Sequence, residues 1–416
     1  MKRMTLRKAP NLTLAAALAA VAFNSSALAE NPFKPLATYT VSGEVAEIIK
    51  ATPDGKTLIY TDSASQVIGF VDITNPASPV EIGTVSVAGE PTSVAVTPDG
   101  DFALAVVHGT PDHLAVIDLD NPEAAPVIRV LGGQPDSIAI SPDGLYAAIA
   151  IENERDETVN EGAMPQSPAG FLTIVDLVGD PVDWDLRDVS LTDVADRFPT
   201  DPEPEFIDIN DDNLAAVTLQ ENNYIVIIDL PSGDIVSDFS AGSVTHKADL
   251  LDDEVIRFKD LLVDSRREPD AIHWTPGGNL AVANEGDYDL DVDFTGGRGF
   301  TIFSPSGDIV FESGETLEKE VAKAGLYDDS RSDSKGTEPE GIEIANYGGK
   351  SYLFVGMERA KPGAVAVYEL KREDSPKFLQ VLPTGGRPEG LLAIPERNLF
   401  VTANEGDGTI SIFQSK

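Results

Sequence analysis

Two acidic positions recur along this chain at a spacing that suggests shared chemistry. One is the residue after a proline that opens an apolar run: Asp136, Glu205, Asp270, Glu340 and Glu389. The other ends the next apolar run, at Glu152, Glu221, Glu285, Glu358 and Glu405. A short turn rich in Gly, Pro, Asn and Asp separates the two runs in each case, as in PDAIHW-TPGG-NLAVANEGD from Pro269 to Asp287. Two apolar runs around such a turn form a β-hairpin, so both acidic positions must lie together at its far end. Converging carboxylates repel unless protons or cations relieve them. Hard oxygen ligands suit Ca²⁺ first, with Mg²⁺ and Mn²⁺ as alternatives. Asp287, Asp289, Asp291 and Asp293 alternate in the following stretch and extend the candidate metal set, although the glycine of a helix–loop–helix calcium motif is missing.

The basic residues among the same loops suggest a second chemistry. Arg331, Lys335 and Arg359 lie close in sequence to Glu340 and Glu358. Guanidinium and ammonium groups beside a metal site can stabilise the charge of phosphoryl transfer. The sequence therefore carries two readings. In one, an acidic face binds a divalent cation and presents it to a small-molecule or protein ligand; in the other, the site is a metal-dependent phosphoester hydrolase with those three cations as phosphate contacts. No Gly-x-Ser-x-Gly elbow is present, and Gly55-Lys56-Thr57 and Gly349-Lys350-Ser351 lack the upstream glycine of a phosphate-binding loop.

The hairpin unit repeats seven times. Blade 1 begins near Glu44, blade 2 at Glu90-Pro91, blade 3 at Gln134-Pro135 and blade 4 at Glu203-Pro204. Blades 5, 6 and 7 begin at Glu268-Pro269, Glu338-Pro339 and Arg387-Pro388. Each unit has three short apolar runs, usually followed by a fourth. Four-stranded units bounded by Gly/Pro turns, with no sustained helical period outside the leader and Thr316–Ala324, predict an all-β, seven-bladed propeller. Blade 7 ends after its third strand, and LATYTV (Leu36–Val41) stands unpaired before blade 1, so it is expected to close the ring as the outer strand of blade 7. The long insertions, 155–169, 192–202, 243–267, 287–298 and 314–337, all fall on turns of one face. That face is expected to carry function. Blades 1 and 2 break the acidic pattern, with Val45 and Thr92 at the first position and Asp62 and His108 near the second.

Composition narrows the partners. Residues 1–29 read as a secretion leader: Lys2, Arg3, Arg7 and Lys8 precede an apolar stretch and Ala27-Leu28-Ala29, leaving 30–416 as one domain in the periplasm or secreted. The chain has no cysteine, which excludes disulfides and thiolate metal sites. Its formal charge is -40, and loss of the four leader cations makes it -44. Such a field repels nucleic acid and anionic membrane and gathers cations. No later stretch is long and apolar enough for a membrane span, and a monomer is expected.

Several stretches together resemble the choice-of-anchor I domain family: DSRSDSKGTEPEG (Asp329–Gly341), EPEFIDI with VTLQENNYIVIIDL, PDAIHW with VANEGD, GGRGFTIFSPSGDIVFESG and MERAKPGAVAVYEL. The resemblance spans about Glu203 to Leu370. It implies an extracytoplasmic propeller, and some relatives carry an alkaline phosphatase-like label. A looser similarity of the EPEG motif points to phytase-like propellers.

Overall fold

A computed structural model describes residues 31–156, 158–286 and 296–416. Among them are seven four-stranded antiparallel sheets and one two-stranded hairpin. Each sheet is one blade, and its first strand is innermost. These innermost strands are Ile49–Ala51, Glu90–Val96, Pro135–Ile140, Pro204–Ile209, Pro269–Trp274, Pro339–Tyr347 and Pro388–Ile394.

The burial follows from the side chains. Second and third strands are apolar on both faces, as in LAAVTL (Leu214–Leu219) and YIVIID (Tyr224–Asp229), and are buried almost throughout. Outer strands alternate exposed and half-buried residues, as in Asp234–Ser240. Each interface between neighbouring blades has its own apolar cluster, seven in all. This is sheet-on-sheet packing repeated around a ring.

The ring closes as expected, with a longer strand. Phe33–Thr40 pairs antiparallel with Thr409–Ser415, from Phe33 opposite Ser415 to Thr40 opposite Thr409. Phe33 then packs edge-on against Tyr347, Tyr352 and Phe354 of blade 6, at centroid distances of 5.0, 5.3 and 5.1 Å. The closing strand thus also seals the interface between blades 6 and 7.

The first turn of blades 1 to 3 reuses one device. Thr52, Thr97 and Ser141 donate to Asp54, Asp99 and Asp143 at 2.9, 2.6 and 2.7 Å, and a left-handed glycine follows two residues after the proline. These turns are short. The insertions lie at the opposite face, including the hairpin Ser243–Ala248 with Asp260–Arg266 and the helix Thr316–Lys323, which buries Leu317 and Val321. No helix among the described residues is long and apolar enough to cross a membrane.

Candidate functional site: a carboxylate ring at the channel mouth

A backbone irregularity aims the first set of acids. In blade 3, Pro135 pairs with Ile151 but Ile138 pairs with Ile149, so the inner strand has one residue more than its partner. The same extra residue follows Pro204, Pro269, Pro339 and Pro388. The acid after the proline lies in this bulge, a device that re-aims a side chain next to a site. Asp136, Glu205, Asp270, Glu340 and Glu389 accordingly line one cavity of about 80 Å³ at the elaborated end of the channel.

Blade 1 also contributes, contrary to the sequence expectation. Counting back from the Pro-Asp-Gly turn, Glu47 stands where blade 3 has Asp136. Its charge interacts with Asp136 and Glu389. Reading the unit from Glu44 had put Val45 in that place. The signal was the fixed distance to the turn, not a proline, since blade 1 has none there. In blade 2 the equivalent residue is Thr92, as expected.

This inner ring has no ion pair of its own, and Lys335 lowers Asp270 only at longer range. Among the described residues, no cation lies within ion-pair distance of any of its six acids. Asp270 is buried, and Glu47, Glu205 and Glu340 each keep one buried oxygen without a partner. Desolvation first, and then repulsion from neighbouring carboxylates, pushes Glu47 and Asp136 up to about 7. The same causes hold Glu205, Asp270, Glu340 and Glu389 well above the usual range.

The second set forms an outer tier, mostly paired. Lys335 Nζ lies 2.6 Å from Glu285, which also accepts from Gln220 at 2.5 Å. Glu358 is held by Arg359 at 2.9 Å and by Arg387, and Arg387 reaches Glu405 at 2.9 Å. Arg155 bridges Glu221 at 3.0 Å and Glu203 at 3.2 Å. Glu152 has no such ion pair, and desolvation followed by repulsion from Asp136 raises it well above the usual range. In blade 4 the strand register puts Gln220, not Glu221, at the level of Glu152: Leu214 pairs with Asp229 as Tyr146 pairs with Asp176.

A third set escaped the sequence reading. Glu203, Glu268 and Glu338 precede the prolines of blades 4, 5 and 6 and are buried. Glu338 accepts Arg331 at 2.9 and 2.5 Å, with Lys335 and Arg359 each at 3.5 Å. Desolvation, with Glu221 next, pushes Glu203 up to about 9 despite Arg155. The Glu-Pro-Glu motif itself was the available signal.

Three groups bring carboxylate oxygens within 4.8 Å of one another: Asp270 with Glu285 and Glu340, Glu285 with Glu338 and Glu358, and Glu152 with Glu203 and Glu221. Two oxygens at calcium-ligand distance from one ion lie at most about 5 Å apart, so all three groups are compact enough. The first group combines the inner ring with the tier. Asp287 and the alternating Asp289, Asp291 and Asp293 lie outside the described residues. His113 is packed, its ring nitrogens facing the carbonyls of Pro111 and Val87 at 2.9 and 2.8 Å, while His108 faces Asp112 at 2.9 Å.

Comparison with known proteins follows the geometry. A model of the choice-of-anchor I domain matches residues 47–293 and 290–373. Gigasin-3a from Magallana gigas is 31% identical over 108 residues, 22% of this chain and 37% of that protein's length. Among solved structures, the Cps50 (Swd1) β-propeller domain of Myceliophteria thermophila aligns over 92% of this chain and 100% of its own, with a TM-score of 0.60 at 10% identity. Virginiamycin B lyase from Staphylococcus aureus covers the same shares, with a TM-score of 0.59 at 14% identity. Hydrazine synthase of Kuenenia stuttgartiensis aligns over 91% of this chain and 97% of its own, with a TM-score of 0.58 at 17% identity. At such identities these structures speak for the fold alone.

Proposed function

The chain belongs to the choice-of-anchor I domain family, and from that premise we propose that its channel mouth binds a divalent cation, calcium foremost, and presents it to a ligand outside the cytoplasm. The observation that carries this reading is the group Asp270, Glu285 and Glu340, whose oxygens lie within 4.8 Å of one another while Glu340 keeps one buried oxygen without a partner. A hard cation would relieve the repulsion and satisfy the orphaned oxygens together. The surrounding insertions supply the surface to which a small-molecule or protein ligand would dock.

Binding is favoured over phosphoester hydrolysis by the state of the cations. Arg331, Lys335 and Arg359 are engaged by Glu338, Glu285 and Glu358. Their charge serves these buried acids, which favours the role of rim counter-ions over that of phosphate contacts.

The test uses protein stripped with chelator and titrated calorimetrically with Ca²⁺, Mg²⁺ and Mn²⁺. Saturable binding that Glu340→Gln weakens at least tenfold is expected, with thermal stabilisation by the same ion. Absence of saturable binding by all three ions overturns the proposal. Metal-restored turnover of p-nitrophenyl phosphate would replace the binding reading with the hydrolase.

A further inference from the structure

The opposite end of the channel has a different character. There a cavity of about 230 Å³ is walled by Ile49, Ile140, Ile342 and Leu391 and carries four charged residues besides Glu389. Ile48, Phe206, Gly341 and Glu389 line both cavities and mark the boundary between them. The four charged residues stand three positions after ring positions: Lys50 after Glu47, Asp208 after Glu205, His273 after Asp270 and Glu343 after Glu340.

Their distribution is lopsided. Asp208, His273 and Glu343 come from adjacent blades 4, 5 and 6. His273 Nδ1 lies 3.3 Å from Asp208 and its Nε2 lies 3.4 Å from Glu343. Burial works against a charged imidazole, but Asp208 and Glu343 outweigh it and push His273 up to about 9. With the imidazole charged, this wall carries one net negative charge. Trp274 N–H donates to Asp208 Oδ2 at 2.7 Å and Ile344 N–H to Glu343 Oε1 at 3.0 Å. Each carboxylate thus keeps its second oxygen. Lys50 projects from blade 1, across the ring, and no carboxylate among the described residues lies within ion-pair distance of its ammonium.

We propose that this cavity is a second binding site, for a compact aliphatic zwitterion whose carboxylate meets Lys50 and whose ammonium meets the free oxygens of Asp208 and Glu343. The dipole of such a ligand opposes that of the cavity, and its hydrocarbon part lies against the isoleucine and leucine walls. A cavity of this size is below the drug-sized range and suits a metabolite of amino-acid dimensions. The assignment stands independently of cation binding at the other end.

Calorimetry on the chelator-stripped full chain tests it, with glycine, L-alanine and L-leucine as zwitterions and isopentylamine and 4-methylpentanoate as single-charge comparators. Saturable binding is expected for at least one zwitterion, strongest for L-leucine. Each comparator should bind at least tenfold more weakly. Lys50→Gln should weaken L-leucine at least tenfold at unchanged melting temperature, Glu343→Gln should weaken it at least tenfold, and Glu340→Gln should leave it unaltered. The proposal is overturned by lack of saturable binding across the series, by comparators that bind as well as L-leucine, or by sensitivity to Glu340→Gln alone.

Discussion

The inner ring and the outer tier at the channel mouth are both built from carboxylates, in opposite electrostatic states. Glu358 in the tier and Glu338 of the third set, counted with it from here on, are buried, and Arg331, Lys335, Arg359 and Arg387 hold them. Asp270 and Glu340, within reach of the same loops, form no ion pair among the described residues. The difference lies in the elements that bring the charges. Tier acids sit at strand ends, where the insertion 314–337 and the Arg387 turn can deliver basic side chains. Five of the six ring acids project from bulges into the channel, where no basic side chain among the described residues pairs with them. Burial of a charge is costly unless it is paired. The tier meets that demand within the chain, whereas the ring leaves it to protons or to an ion from outside.

The strongest test of this contrast removes an acid from the tier. Glu338→Gln leaves Arg331, Lys335 and Arg359 facing one another around a neutral amide. Breaking a buried pair costs about 3 kcal/mol or more, and the partial exposure of these cations brings the expected loss nearer 2 kcal/mol. Chemical denaturation should show it as a lower midpoint at unchanged slope, with or without calcium. An unchanged midpoint would mean that the tier pairs contribute nothing.

How much of this was legible in the sequence follows the same division. The blades, the closing strand and five ring acids are local: each depends on a proline, a turn and an apolar run within a few residues. Glu47 was equally local but lacked the proline, and the distance to Pro53-Asp54-Gly55 was needed to find it. The bulges were not legible, because strict alternation has no place for an extra residue. Nor was the pairing. Arg155 meeting Glu203, 48 residues on, and Lys335 meeting Glu285, 50 residues back, are consequences of where long loops fold over. Lys50 of the far cavity was not legible either, because its place opposite Asp208 and Glu343 depends on the closed ring.

pH should separate the two sets next. Ring acids have folded-state values above their unfolded ones, so the folded protein retains protons that the unfolded chain gives up. Their stabilising contribution is complete below about pH 4 and is lost as pH rises through about 7, where Glu47 and Asp136 titrate. His273, raised to about 9, contributes in the same sense but only at higher pH. Asp54, Asp99 and Asp143, held low first by hydrogen bonds from the side chains of Lys56, Thr97 and Asn213, lose their contribution only as pH falls below the usual carboxylate range. Metal-free protein should therefore melt lower at pH 8 than at pH 5, by several degrees, and calcium should recover the difference at pH 8 while adding little at pH 5. A midpoint that rises from pH 5 to pH 8 without metal would contradict the unpaired ring.

A smaller effect of opposite sign to the tier substitution is expected from Glu340→Gln. In metal-free protein at pH 8 it removes one like charge from the ring and should raise stability by about 1 kcal/mol, the scale of one pKa unit. The same substitution should shrink the calcium-dependent rise in melting temperature. Destabilisation in both conditions would make Glu340 a tier-like structural acid.

Blade 2 offers the finest discrimination, because Thr92 occupies the ring position without a charge. Thr92 donates to the carbonyl of Pro135 at 3.2 Å, so the side chain is tied to blade 3 rather than aimed at the other acids. Thr92→Asp adds a seventh carboxylate at the cost of that hydrogen bond, worth about 1 kcal/mol. If the ring acts as one electrostatic unit, the variant should be slightly less stable without metal at pH 8 and should bind calcium a few-fold more tightly. If instead the ion is held locally by Asp270, Glu285 and Glu340 on blades 5 and 6, a charge on blade 2 changes stability but leaves affinity untouched. Calorimetry on this one variant thus distinguishes a ring that gathers cations as a whole from a three-residue site that merely sits within it.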